Sequence, residues 1–288
     1  MPICTLATYN LNIGYGANIV QSNLSLKAKS GELICLIGTN GCGKSTLLRT
    51  IAGLQSPLSG EIRFSSQSIG EHAEVENVSE RSIVENVSER SYLREIDLAA
   101  LSERERSRYV SVVLTERFSA EHTTVHDIVS MGRYPYTSFL GNLTEEDEHI
   151  IENTIRLTDM HHKSRAFFNE LSDGEKQRTL IAKALAQQTP VILLDDPTAH
   201  LDLPNRIRTL LMLREMAHNA DKTIIISTHE LDLALQTADT IWLMTPQKGV
   251  ETGSPKELIA GGMFQKAFDN PHFSFRTEGN TLALRINA

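Results

Sequence analysis

Gly38-Thr39-Asn40-Gly41-Cys42-Gly43-Lys44-Ser45 fits the pattern G-x-x-x-x-G-K-[ST] at every fixed position. The residue types suit chemistry on a polyphosphate. Glycines let the backbone curl until its N–H groups converge on phosphate oxygens. The start of a helix adds positive potential there. Lys44 has the length to reach β- and γ-phosphates, and the Ser45 hydroxyl can ligate Mg²⁺. Cys42 fits as a tolerated small residue, because phosphoryl transfer uses no sulfur nucleophile.

Two further stretches could complete such a site. Val191-Ile192-Leu193-Leu194-Asp195-Asp196 is an apolar run that ends in two carboxylates. Asp195, at the C-terminal end of a buried strand, can hold the Mg²⁺ shell, and Asp196 would then face the γ-phosphate and the attacking water. In Leu171-Ser172-Asp173-Gly174-Glu175-Lys176-Gln177-Arg178, Ser172 and Glu175 have the spacing of a capping box. That is a sufficient structural role. The same helix start could also donate N–H groups to a phosphate, and composition does not separate the two.

The elements that must carry these residues follow from the hydrophobic pattern. Glu32 to Ile37, Tyr109 to Leu114, Val191 to Leu194 and Thr223 to Ser227 are short apolar runs of the buried-strand type. Helical patterns run from Lys44 to Leu54, stopped by Gly53 and Pro57, and from Thr144 to Met160, with Ile151 and Ile155 on one face. Another runs from Glu175 to Gln188, with Leu180, Ile181, Ala184 and Leu185 as its expected buried stripe. Alternating strands and helices predict a mostly parallel sheet covered on both faces. The stretch from Glu116 to Phe168 has helical patterns and no such strand, which predicts an α-rich insertion.

The chain has 288 residues, enough for about two domains or one α/β unit with an insertion. Its 40% apolar and 22% charged content are those of a globular protein and exclude collagen-like or wholly disordered chains. A net charge of −8 argues against nucleic acid as a partner. No apolar run approaches the roughly 20 residues of a membrane helix, and Met1 to Gly14 lacks the pattern of a signal peptide. The three cysteines, Cys4, Cys35 and Cys42, have no metal-ligand spacing and fit a reducing compartment, so a cytoplasmic location is expected. VENVSERS occurs twice, at Val75 to Ser82 and Val84 to Ser91. An offset of nine suits neither helical nor strand periodicity, so a duplicated surface loop is expected.

The P-loop, Leu171 to Arg178, Leu193 to Thr198 and Ser227-Thr228-His229 occur in the order seen in ATP-binding subunits of ABC transporters, and the chain resembles that family from about Leu6 to Ala260. The resemblance implies an α/β fold: a P-loop NTPase (RecA-like) core with a mostly parallel sheet, an N-terminal antiparallel β part and an inserted α-helical subdomain. The matching segments are 1–115 and 179–248 for the core, with 67–100 a surface insertion, 116–178 for the helical subdomain, and 249–288 as a C-terminal extension. It implies ATP and Mg²⁺ as cofactors. Gly38, Thr39, Asn40, Gly41, Cys42, Gly43, Lys44, Ser45 and Thr46 would surround the phosphates. Ser172, Gly174 and Glu175 would belong to the signature that faces the ATP of a second copy. Ala199 to Asp202 would be the D-loop, and His229 the switch histidine at the γ-phosphate. ATP would close a homodimer and drive transmembrane permease subunits, with a substrate-binding protein acting indirectly. The location would be peripheral, on the inner face of the cell membrane.

Thr124 to Val129 followed by Gly132-Arg133-Tyr134-Pro135-Tyr136 is similar to importers of iron–siderophore complexes, haem and cobalamin, as is Leu11 to Gly16. Tyr15 would stack on adenine. Three positions depart from the family pattern. Thr115 stands where a glutamine is usual, with Glu116 beside it as an alternative ligand to the metal or its water. Asp173 replaces a glycine, and Asp196 replaces the catalytic glutamate. Slow hydrolysis is therefore expected. A soluble ABC-type ATPase, such as one assembling iron–sulfur clusters, is the alternative, and the Gly132–Tyr136 stretch stands against it. An SMC-type repair ATPase would need coiled-coil heptads before the signature, and there are none.

Overall fold

The computed structural model describes residues 4–69, 91–115, 120–138, 141–199, 201–246, 249–278 and 281–286. The chain opens with strands Cys4–Tyr15 (β1), Asn18–Leu24 (β2) and Lys27–Lys29 (β3), then Leu33–Gly38 (β4) and helix Lys44–Ile51 (α1). Strands Ser59–Ile69 (β5) and Ser91–Asp97 (β6) follow, then helix Glu103–Arg106 (α2) and strand Val110–Val113 (β7). Val125–Ser130 (α3), Glu145–Leu157 (α4) and Asp173–Ala186 (α5) are helices. The second half carries strand Val191–Asp195 (β8), helix Leu203–Asn219 (α6), strand Thr223–Ser227 (β9), helix Leu231–Thr237 (α7) and strands Thr240–Thr245 (β10) and Gly249–Gly253 (β11). It ends in helices Pro255–Ala260 (α8) and Met263–Phe268 (α9) and the hairpin Phe273–Glu278 (β12), Thr281–Ile286 (β13).

Two sheets organise these elements. The first has the order β2-β1-β5-β6 with β3 on β1, and its pairs are antiparallel. The second has the order β11-β10-β4-β9-β8-β7, parallel except for β11. Every residue of β4, β8 and β9 is buried, as continuous apolar runs require when both faces of a parallel sheet are covered. One face of this sheet packs α1 and the first sheet around Leu36, Leu48, Leu193 and Trp242. The other face packs α5 to α9 around Ile37, Leu194, Leu213 and Phe264. A third cluster, with Val125, Ile151, Ile155 and Met160, joins α3 and α4 to α5. Among the described residues no helix is long and apolar enough to cross a membrane.

The structure adjusts several expectations. α1 stops at Ile51, because Gly53 turns left-handed at φ 71°. α5 begins at Asp173 rather than Glu175, because the Ser172 cap sets its first turn. Its buried stripe is Thr179, Ile181, Ala182, Ala184 and Ala186, whereas Leu180 and Leu185 are half-buried. The stripe is wide because α5 packs on the sheet with one face and on α3 and α4 with another. Within the 67–100 segment, Gln67 pairs with Leu93 and Ile69 with Ser91, so these flanks continue the first sheet. The duplication, Ser91 apart, lies outside the described residues, as does Glu116.

Candidate functional site

β4 delivers the P-loop. Gly41 and Gly43 take φ of 77° and 109°, where side chains are strained. Gly43 caps α1 without a side-chain bond, so the N–H groups of the first turn face outward. Lys44 is buried and folds back over the loop, donating from Nζ to Gly38 O at 2.8 Å and Thr39 O at 3.2 Å. The Cys42 side chain is buried in the core, and burial pushes its thiol up despite the Lys44 charge. Only its backbone is therefore available to a ligand, and its N–H donates to Thr39 O at 3.3 Å.

Close packing holds the loop in place. A methyl on Gly38 would lie 2.3 Å from Met244 O, and one on Gly43 would lie 2.7 Å from Val20 Cγ1. Gln21 is buried on β2 and donates to Cys42 O at 3.0 Å and Thr245 O at 2.8 Å, tying the loop to the end of β10. Gly43→Ala meets both the φ restriction and the Val20 contact. It is expected to lower stability by about 1–3 kcal/mol, read from the denaturant midpoint.

Asp195 ends β8 and is buried. Its Oδ1 accepts from Ser45 Oγ at 3.0 Å and Ser227 Oγ at 2.6 Å, and its Oδ2 accepts from Thr115 Oγ1 at 2.9 Å. The C-terminal ends of β7, β8 and β9 and the start of α1 thus meet on one carboxylate. Ser45, Thr115 and Asp195 form a hard oxygen donor set, which fits Mg²⁺. Ser227 does double duty, since its hydroxyl also accepts from Asp196 N at 2.8 Å.

Asp196 has a left-handed backbone at φ 47°. Burial pushes its carboxyl above the usual aspartate range, the His229 imidazole pulls it down, and the neighbouring Asp195 pushes it up again. His229 Nε2 lies 3.9 Å from Asp196 Oδ2. Tyr15 stands exposed, with its hydroxyl 3.3 Å from Thr46 Oγ1. Tyr15, Asn40, Lys44, Thr115, Asp196 and His229 all line one cleft of about 510 Å³.

Ser172, Gly174 and Glu175 do not line this cleft. Ser172 caps α5, and Glu175 Oε2 accepts from the Ser172 N–H and hydroxyl, both at 2.8 Å. Those bonds hold the Glu175 carboxyl below its usual range. Among the described residues nothing requires glycine at position 174. An added methyl would meet Leu201 at an ordinary 3.7 Å, and φ is not positive. In the D-loop stretch, Ala199 N donates to Asp196 O at 3.0 Å and Asp202 caps α6, while His200 lies outside the described residues.

Two residues of the site carried no assigned role in the sequence. Ser227 was visible only as the companion of His229 in Ser-Thr-His. Gln21 gave no signal, since its importance comes from β2 passing the P-loop in space.

Comparison with known proteins places this geometry. A profile described as "ABC transporter" matches residues 21–199. The petrobactin import ATP-binding protein FpuD of Bacillus anthracis is 31% identical over 263 residues, covering 91% of this chain and 86% of its own. The ferric enterobactin transport ATP-binding protein FepC of Escherichia coli is 28% identical, covering 92% and 88%. A solved structure of an inward-facing ABC transporter, described as of metal-chelate type, superposes with a TM-score of 0.72 at 23% identity, covering 98% of this chain and 96% of that one.

Proposed function

From the premise that the chain belongs to the ABC transporter family of ATP-binding proteins, we propose that it binds and hydrolyses ATP as the energy-coupling subunit of an importer for an iron chelate of the siderophore class. The observation that carries the ATPase reading is the convergence of Ser45, Thr115 and Asp195 beside the Lys44 loop. The substrate class is supported by the siderophores named in the two relatives, petrobactin and enterobactin. The permease is the membrane partner, which places the chain peripherally on the inner face. A substrate-binding protein acts through the permease, and no nucleic acid is involved.

In this reading the N–H groups of the P-loop and α1 hold the phosphates, and Lys44 turns its ammonium from the Gly38 and Thr39 carbonyls to the β- and γ-phosphates. Ser45, Thr115 and Asp195 would hold Mg²⁺, which when bound would offset the phosphate charge. Tyr15 stacks on adenine. Asp196 accepts a hydrogen bond from the attacking water, and its raised carboxyl makes it the better proton acceptor. His229 contacts the γ-phosphate from beside it. Aspartate is one methylene shorter than glutamate, so turnover is slow.

Two copies sandwich two ATP molecules, each P-loop facing the Ser172 and Gly174 of the other copy. Two features support this: these residues lie outside their own chain's cleft, and among the described residues nothing in that chain explains a glycine at position 174. The γ-phosphate then bridges two subunits, so ATP favours the closed pair and hydrolysis releases it.

Ser172→Arg tests this arrangement. Arginine can still begin the helix, though the lost cap costs about 1 kcal/mol. The variant is expected to fold and to bind ATP like the wild type, yet to remain monomeric with Mg-ATP in sedimentation. An ATP-dependent dimer of the variant would show that Ser172 does not face the partner's nucleotide.

A further inference from the structure

Gly132-Arg133-Tyr134-Pro135-Tyr136 holds a buried network with no part in the ATP cleft. Arg133 and Asp147 are each only 5% exposed, and Arg133 Nε donates to Asp147 Oδ1 at 2.8 Å. Asp147 lies in the first turn of α4 and caps it with Thr144. Arg133 Nη1 donates to Ala186 O at 2.8 Å and Gln188 Oε1 at 3.0 Å, which meets a carbonyl at the C-terminal end of α5. Gly132 is required here, because a methyl would lie 2.3 Å from Lys183 O in the same helix.

The network reaches the core through Tyr136. The guanidinium of Arg133 lies 4.2 Å from the ring centroid, and the Tyr136 hydroxyl donates to Gln187 O at 2.9 Å. Gln187 Nε2 donates to Val110 O on β7 at 3.3 Å, and Arg108 Nη2 donates to Pro135 O at 3.3 Å. Val191, a few residues past α5, begins β8. Arg133 thus stands at the junction of α4, α5 and the core sheet.

Ser172 caps the other end of α5, 14 residues away, which is about 21 Å of helix. Over that lever, a tilt of about 5° at the Ala186 end moves Ser172 by about 2 Å. Misplacement of about 1 Å in a catalytic group can cost about 100-fold in rate.

We propose that Arg133 is a positioning residue: its clamp on Asp147, Ala186 and Gln188 fixes the angle of α5 against the core sheet, and with it the place of Ser172. The consequence for ATP turnover rests on the two-copy arrangement proposed above.

The test uses the full chain with spin labels at Glu152→Cys on α4 and Glu251→Cys on β11, both exposed, in a Cys4→Ser background. Arg133→Met with Asp147→Asn removes the ion pair, while the amide oxygen of the new side chain can still accept from Thr144 and cap α4. Arg133→Lys keeps the ion pair but cannot fork to Ala186 and Gln188 as well, and it serves if the double variant does not fold. Three readouts are expected. The distance distribution of the nucleotide-free chain, narrow in wild type, broadens or shifts. Binding of a fluorescent ATP analogue stays within about twofold, because the P-loop is untouched. ATP-dependent dimerisation weakens by about tenfold or more, within the usual range for coupling between sites. An unchanged distance distribution in a folded variant overturns the clamp. A changed distribution in a chain whose wild type never dimerises on ATP supports the clamp and overturns the two-copy arrangement.

Discussion

Lys44→Ala is expected to reduce phosphate release by at least about 100-fold to 1,000-fold, the scale seen when one preorganised charge or donor is removed from a phosphoryl or oxyanion site. Lys44 is the one ammonium lining the cleft among the described residues. In the proposed reaction it would reach the phosphates by leaving the carbonyls of Gly38 and Thr39, 2.8 and 3.2 Å away. A point charge at the β- and γ-phosphates acts on ground state and transition state, so ATP affinity should fall as well. The variant also leaves two carbonyls of the loop with one partner fewer, at a cost of about 1–3 kcal/mol for a buried group. Fluorescent-nucleotide binding and phosphate release at saturating Mg-ATP separate the two losses. Turnover near the wild-type rate would remove Lys44 from the reaction.

Asp196 should divide its effects between rate and stability in opposite directions. As the proposed general base, its carboxylate must lie within about 2.6–3.2 Å of the water it would orient, and aspartate falls short of a glutamate's reach by roughly 1.5 Å. With about 1 Å worth up to 100-fold, Asp196→Glu is expected to raise turnover and Asp196→Asn to lower it, with ATP affinity nearly unchanged in both. The backbone sets a cost on the faster variant. At φ 47° aspartate is among the few residues besides glycine that adopt this region readily, whereas a longer side chain is strained by about 1–2 kcal/mol. Stability should also depend on pH at this residue. Burial raises the carboxyl in the folded chain, offset in part by His229 and reinforced by Asp195. A raised carboxyl supports the fold while protonated, below the ordinary aspartate range, and that support is lost as pH rises through the folded value. Asp196→Asn should therefore melt higher than wild type near neutral pH, and the difference should shrink as pH falls into the carboxylate range. Phosphate release and melting curves at both pH values check the pair. If Asp196→Asn keeps full turnover, another group orients the water.

The site was legible where chemistry is written in consecutive residues. The P-loop glycines, Lys44 and Ser45 declare themselves because one turn must supply all the N–H groups. Asp195 was readable only because the P-loop occurs in the same chain; alone, two aspartates before Pro197 read as the start of a surface turn. What chain order hides is the reach between segments. Thr115 was visible as an anomaly, and only the sheet order β9-β8-β7 shows its hydroxyl on Asp195. Gln21 escaped because a glutamine in a strand reads as surface until β2 is placed beside the P-loop. The fold was legible in its parallel strands, whose apolar runs admit no half-exposed alternative. The stripe of α5 was misjudged because leucine ranks above alanine and threonine in a hydrophobic pattern. A helix pressed between a sheet and two other helices instead selects small residues at closest approach, as Ala182, Ala186 and the Gly132–Lys183 contact illustrate.

In the proposed arrangement hydrolysis needs two copies, because each ATP lies between the P-loop of one and Ser172 of the other. Phosphate release per chain, measured at saturating Mg-ATP over a wide range of protein concentration, tests it directly. The predicted result is activity per chain that rises with concentration and levels off as dimers fill, with Ser172→Arg flat and near zero throughout. Activity per chain that is constant down to the most dilute sample, and retained by Ser172→Arg, would contradict it.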